Sequence, residues 1–264
     1  MGLSAAAVRE GLRTRVVGKR VTCLGVVDST NEEAWHEALA EAEEGSAIFA
    51  DEQRKGRGRM GRLWHSPRGK GLLCSVILRP RLPVDKINVM TAIGALAVVD
   101  TLKTAARIDA VVKFPNDVLV GGRKIAGILV ESRFIAGTAD VFVLGVGLNV
   151  NVASNEFPPE LRERATSLRV ESGRDTGMVL AARRLLESLD RWYDAVTGGR
   201  FDEIAAAWRS ASMIRGKRVR ITEGEHLFTG TVDDVDPVEG IILRLGNGHV
   251  RRVRGEHVEH LELL

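Results

Sequence analysis

Residues 109–132 read DAVVKFPNDVLVGGRKIAGILVES. Two runs rich in β-branched residues flank Gly121-Gly122, and a Gly-Gly pair in that setting predicts a two-residue hairpin turn. Pro115, Asn116 and Asp117 read as a turn before the first run. Lys113 follows the apolar Ala110-Val111-Val112 and precedes Phe114-Pro115, so it projects from a strand end. Gly127 sits inside the second run. Glycine there weakens a strand and marks either a bulge or the close approach of a ligand or another backbone.

Apolar runs continue the pattern on both sides. VTCLGVV (21–27) reads as a buried strand, SAIFADE (46–52) as a short one, GLLCSVILRP (71–80) as a strand closed by Pro80, and DVFVLGVGLNVNV (140–152) as another. Between the first two, Ser29 and Glu32 have capping-box spacing. Ala34, Ala38, Leu39 and Ala42 keep a helical period up to a stop at Gly45. Residues 84–106 have the apolar density of a buried helix, and two more helices are predicted in 175–196 and 201–212. After Gly216 the texture changes to short alternating runs broken by Asp-Pro, Glu-Gly and Asn-Gly. That tail predicts a β-barrel of under fifty residues, too small to fold comfortably alone and expected to dock on the rest.

Composition bounds the function. The 264 residues set a prior of about two domains. Hydrophobic residues at 44% supply a core, and a net charge of +3 argues against a general nucleic-acid coat. Cys23 and Cys74 each sit in an apolar run and read as small buried hydrophobes suited to a reducing cytoplasm. No signal peptide is visible, and no unbroken apolar run approaches the roughly 18 residues of a membrane span. The six histidines lack metal-ligand spacing.

Basic charge is instead local. DEQRKGRGRMGRLWHSPRGKG (51–71) packs seven cations among five glycines. GRGRMG matches G-x-G-x-x-G formally, but no helix follows and the acidic residue expected about 20 positions on falls in LRPRL, so the dinucleotide reading fails. Gly69-Lys70 lacks the other Walker A residues. Glycines still let backbone approach a ligand, and arginines grip phosphate or carboxylate with forked donors. The arginines would repel one another without an anion, so the loop is expected to be mobile when empty and ordered when occupied.

Four segments together resemble the biotin protein ligases (biotin–acetyl-CoA-carboxylase ligases): DSTN (28–31), DEQ…GRGRMGRLW (51–64), KFPNDVLVGGRKIAGILVE (113–131) and LGVGLNVN (144–151). The resemblance covers nearly the whole chain. It implies an α+β fold: a class II aminoacyl-tRNA synthetase-like catalytic domain over 1–214 and a small C-terminal SH3-like β-barrel over 215–264. It also implies a two-step reaction. Biotin and MgATP give biotinyl-5′-AMP, and the acyl group then passes to a lysine of a biotin carboxyl carrier protein.

The same resemblance implies site roles. Arg57, Gly58 and Arg59 would form the loop core that closes over the acyl-adenylate, with Gly56 beside biotin and Arg62 and Trp64 extending the loop. Lys113 would meet the biotin carboxylate and α-phosphate, with Arg57 and Arg59 assisting catalysis. Ser29, Thr30, Asn31 and Gln53 would hold the biotin head and Gly127 would lie against its ring. Asn116, Lys124 and Asn149 would face ATP or the adenylate, and Asp117 would contact Mg²⁺. On local sequence alone, Ser29 reads equally as a helix cap, Asn149 as a turn residue, and Arg123 and Lys124 as hairpin flanks.

Two positions depart from the family pattern: Phe114 stands where tryptophan is usual, and Lys55 where a small residue is usual. They are expected to change the pocket's affinity and the loop's closure. About twenty residues precede the first strand, so ligase activity without operator binding is expected. Sheet edges pair subunits in related proteins, and no signature here fixes a homodimer. Rival readings are a lipoate or octanoate ligase or transferase of the same fold, and a single-strand nucleic-acid binder. Aromatic residues at 5% offer that binder few stacking platforms.

Overall fold

The computed structural model describes residues 3–135 and 138–264. Its helices are α1 (Ala5–Arg9), α2 (Thr30–Leu39), α3 (Val89–Ala106), α4 (Leu168–Ser172), α5 (Met178–Thr197) and α6 (Phe201–Ala211). Strands β1 (Val21–Val27), β2 (Ala47–Gln53), β3 (Gly71–Leu78), β4 (Leu82–Pro83), β5 (Val111–Lys113), β6 (Asp117–Val120), β7 (Arg123–Ile135) and β8 (Thr138–Asn149) form one sheet. Its order is β1-β2-β3-β8-β7-β6-β5, with β4 added on β8. Only β1 and β2 run parallel; every other pairing is antiparallel.

The sheet is covered on both faces, and this explains the unbroken apolar run of β3, in which all eight residues are buried. Strand side chains alternate between faces. Phe49 and Cys74 join the large core beneath α3 and α5, whereas Ile48 and Ile77 join a smaller one with Ala34 and Ala38 of α2. Residues 84–106 are long and apolar enough to cross a membrane by length and composition alone, contrary to the reading of unbroken runs. Most of that stretch is buried within this fold, as a core helix is.

The predicted hairpin forms as drawn: β6 and β7 pair around Gly121 and Gly122, at φ 55° and 79°. Such positive values favour glycine over residues with a Cβ. Three local expectations differ. VTCLGVV is an edge strand and only half-buried, because nothing pairs with its outer side. Helix α2 stops at Leu39, which is 64% exposed, and the chain turns at Glu41 (φ 60°) well before Gly45. Ser29 occupies the N-cap position of α2 but its side chain makes no capping bond.

The tail forms a second sheet from β9 (Arg218–Glu223), β10 (His226–Asp236), β11 (Gly240–Leu245), β12 (Val250–Val253) and β13 (His260–Leu263), in the order β12-β11-β10-β9-β13. It docks on the larger body. Arg209 of α6 pairs with Asp234 and Asp236 of β10, and Gly255 of the tail lies against the Phe114 ring, which itself meets Trp208 of α6 edge-on with centroids 6.4 Å apart.

Candidate active site

The site lies on the sheet face that also carries α2. Gly127 of β7 is paired with Gly147 of β8, and Leu129 with Gly145. Three glycines on one face leave a floor without side chains. A Cβ on Gly147 would stand 2.5 Å from Trp64 Cε2, and one on Gly145 would stand 2.3 Å from Asn31 Oδ1. Close packing of the indole and the amide on this floor therefore depends on glycine.

Over the floor is a cavity of about 160 Å³. The structure brings Ser29, Thr30, Asn31, Gln53, Arg57, Gly58, Arg59, Arg62, Trp64, Asn116, Asp117, Lys124 and Gly127 to its walls. These residues come from three separated segments, 29–31, 53–64 and 116–127, and the sheet topology is what joins them.

One end of the cavity is a polar chain. Gln53 Oε1 accepts from the Thr30 backbone N–H at 2.7 Å, which fixes the orientation of its amide. Thr30 Oγ1 lies 2.8 Å from that same oxygen and 2.7 Å from Ser75 Oγ. Ser75 Oγ also donates to Asn31 Oδ1 at 2.6 Å. Gln53 Oε1 and Asn31 Oδ1 only accept, so two hydroxyl protons serve three short contacts. The chain is one donor short. Ser75 and Glu131, whose carboxylate accepts from Asn31 Nδ2 at 2.8 Å, were missed in the sequence reading. The available signal was a serine inside the apolar run LLCSVIL.

The other end is cationic, and the basic loop holds it. Residues 56–64 fold back on themselves: Gly58 N–H donates to Arg62 O at 2.7 Å and Trp64 N–H to Gly56 O at 2.9 Å. Arg57 is ion-paired with Glu32 of α2. Arg59 reaches the second sheet and donates to Gly255 O at 3.1 Å. Lys55 is 2.6 Å from Asp28, and this hydrogen-bonded ammonium holds the aspartate carboxyl below its ordinary range. The expected mutual repulsion is thus offset by acids and carbonyls of the chain itself. Lys55 docks the start of the loop onto the end of β1.

Lys124 Nζ is 2.6 Å from Asp117 and 5.5 Å from the Trp64 ring centroid. Asn116 is braced by β7, donating through Nδ2 to Ile128 O at 2.9 Å. Asn149 is buried at the end of β8; its Nδ2 donates to Thr166 O at 3.0 Å, and its Oδ1 has no partner. The Trp64 indole N–H is likewise buried without an acceptor.

Four residues stand elsewhere than expected: Gly56 and Asn149 do not line the cavity, and neither do Lys113 and Phe114. Lys113 lies in an adjoining groove with Arg59, Arg62, Asn116 and Asp117, closed by 258–261 of the tail. Phe114 faces away from the cavity, toward Trp208 and Gly255, so the missing indole bears on domain contact and not on the pocket.

The site thus joins a glycine-floored antiparallel sheet, a donor-poor pocket and a cationic loop that reaches the C-terminal tail. Residues 24–149 match the Biotin/lipoate A/B protein ligase family. The chain is 35% identical over 258 residues to the bifunctional ligase/repressor BirA of Bacillus spizizenii, covering 97% of this chain and 79% of that protein. It is 31% identical to the biotin–[acetyl-CoA-carboxylase] ligase of Mycobacterium tuberculosis, over 95% and 94% of the two chains. The biotin protein ligase of Aquifex aeolicus, solved in complex with biotin and ATP, superposes with a TM-score of 0.79 at 27% identity, over 93% of this chain and all of that one. The chain belongs to the biotin protein ligase family.

Proposed function

We propose that this protein activates biotin with ATP as biotinyl-5′-AMP and transfers it to one lysine of a biotin carboxyl carrier protein. The observation that carries this reading is the polarity of the cavity: a donor-poor end at Thr30 and Gln53, and an arginine-lysine end at Arg57, Arg62 and Lys124. A ureido ring brings N–H donors to the first, and a phosphate brings charge to the second. The unpaired Trp64 donor at the cavity wall suits a ring nitrogen of adenine, and the unpaired Asn149 acceptor at the end of β8 suits its amine.

In this mechanism the chain positions two anions and neutralises their repulsion. Ser29, Thr30, Asn31, Gln53 and Gly56 hold the biotin head above Gly127. Lys113 turns from its groove to the carboxylate as it attacks the α-phosphate, where a compact ammonium offsets the developing charge. Arg57, Gly58, Arg59 and Arg62 close over the product and keep water from the mixed anhydride. Magnesium enters with ATP, and among the described residues no cluster of three acidic, histidine or cysteine side chains forms a cage for it. That suits a cation carried mostly by phosphate and water. Asp117, released as Lys124 turns to phosphate, is the residue that would contact it.

We assign the reaction to 1–214 and closure of the nucleotide groove to 215–264. Of the two activities named for the Bacillus relative, the ligase is the one proposed. Two free thiols suit a reducing cytoplasm. The open edge of β1 is where two copies would pair as a homodimer. Release of pyrophosphate only when biotin and MgATP are both present tests the first step; release with lipoate or octanoate instead would replace this reading.

A further inference from the structure

We infer that Glu131 is a positioning residue that sets the direction of the polar chain and so makes the pocket demand an N–H donor. The inference rests on the proposed binding of biotin's ureido ring at Thr30 and Gln53.

Glu131 lies on β7, two residues beyond Leu129 and so on the same sheet face. Its Oε2 accepts from Asn31 Nδ2 at 2.8 Å and from Trp35 Nε1 at 3.2 Å. A carboxylate offers no proton, so the nitrogen of the Asn31 amide must face Glu131 and the oxygen must face Ser75. Ser75 is fully buried. Its single hydroxyl proton is therefore committed to Asn31 Oδ1, 2.6 Å away. Toward Thr30 Oγ1, at 2.7 Å, Ser75 then offers only a lone pair.

The far end is fixed independently, because the Thr30 backbone N–H holds Gln53 Oε1 as an acceptor at 2.7 Å. Thr30 Oγ1 thus sits between two acceptors with one proton to give, and receives none from the protein. Its own lone pairs are left for the ligand. Were the Asn31 amide reversed, its nitrogen would donate to Ser75, Ser75 would donate to Thr30, and Thr30 would donate to Gln53. Every contact would then be satisfied internally and the deficit would vanish. The Leu129 carbonyl, 3.5 Å from Asn31 Nδ2, favours the first state weakly, and Glu131, which does not line the cavity, supplies the nearer and charged acceptor that selects it. It decides what the cavity asks of a ligand without touching one.

The test uses the full-length protein, biotin, MgATP and pyrophosphate release. Glu131→Met removes the acceptor, and its biotin KM should rise about tenfold or more, the effect of one charge-assisted hydrogen bond, while kcat stays within about threefold. Asn31→Asp sets two carboxylates against each other and should raise KM similarly. Combining Asn31→Asp with Glu131→Gln should bring KM back. The amide introduced on β7 then donates to the carboxylate introduced on α2. The other oxygen of that carboxylate still accepts from Ser75; because Oε2 alone serves both Asn31 and Trp35, the new amide nitrogen leaves the Trp35 N–H without its acceptor, so the double variant is made in the Trp35→Phe background. Trp35→Phe should leave KM unchanged, because it removes only the other arm of Glu131. Melting curves accompany each variant; if Glu131→Met does not fold, Asn31→Asp and its double variant carry the test alone.

Failure of the double variant to improve on Asn31→Asp would overturn the inference. So would a KM rise in Trp35→Phe equal to that of Glu131→Met, which would make Glu131 a brace for α2 only. If the wild-type protein releases no pyrophosphate with biotin, the reading of the pocket falls and this inference with it. The wild-type control thus separates the two failures.

Discussion

Lys124 holds its ammonium 2.6 Å from the Asp117 carboxylate across the β6–β7 hairpin, at the wall of the cavity. Both side chains are partly exposed, at 36% and 26%. An ion pair so placed contributes about 1 kcal/mol or less, so a phosphate can replace it. Lys124→Ala should therefore raise the KM for ATP about tenfold, as loss of one charged phosphate contact does, with a melting temperature within about 2 °C of wild type. A large drop in melting temperature with an unchanged KM would make the pair structural.

Lys113 makes a different prediction because it stands outside the cavity, in the groove beside it. An interaction formed only as charge develops lowers kcat when it is removed. Lys113→Ala should lower the rate of adenylate formation at least about tenfold, near 1.4 kcal/mol of transition-state stabilisation, with biotin KM little changed. Near-wild-type single-turnover rates would remove Lys113 from the chemistry.

On the proposed function, the basic loop exchanges its partners when substrate arrives: Arg57 is to leave Glu32, while Arg59 is already tied to the carbonyl of Gly255 between β12 and β13. Amide exchange over residues 54–64 should slow markedly on saturation with biotin and MgATP, and less with either alone. Equal protection in the free and saturated protein would show a loop already set before binding.

Much of this arrangement was legible in the sequence, and the parts that were not share a cause. The Gly-Gly hairpin, the β3 run and the helix after residue 84 follow from local signals, and they form as expected. The edge position of VTCLGVV and the early stop of α2 at Leu39 depend on what packs where, which periodicity does not carry. In the cavity, the residues that touch its walls were named from motifs. Ser75 and Glu131 stand one contact further out, and only the pairing of β3, β7 and α2 brings them to Asn31. Phe114 was expected at the pocket because it follows Lys113, yet the chain turns its ring to Trp208.

That turn makes Phe114 a test of packing. A cavity of about 230 Å³ is lined by Phe114, Trp208, Pro237 and Gly255, between the two sheets. Phe114→Trp fills part of it. The gain should be about 0.5–2 kcal/mol, a rise of about 2–4 °C per kcal/mol in melting temperature for a chain of this size, with biotin KM unchanged. A fall in melting temperature would show that the indole strains against Gly255, whose Cβ position is 3.0 Å from the Phe114 ring.

The thiols give the pH dependence. Burial pushes Cys74 far above the ordinary thiol range, and burial followed by nearby Asp51 raises Cys23. A raised thiol stays protonated through neutral pH, and thiolate appears only as pH climbs past the shifted value. Iodoacetamide at pH 8 should modify neither residue quickly in the native protein, and both once it is unfolded. Fast native labelling would show that the β1–β3 core opens.

The central claim is most directly tested by the mass of a biotin carboxyl carrier domain after incubation with this protein, biotin and MgATP, beside a lipoyl-domain control. The account predicts a gain of one biotinyl group on the carrier lysine and none on the control. A gain on the lipoyl domain, or no gain on either with no biotin-dependent pyrophosphate release, would contradict it.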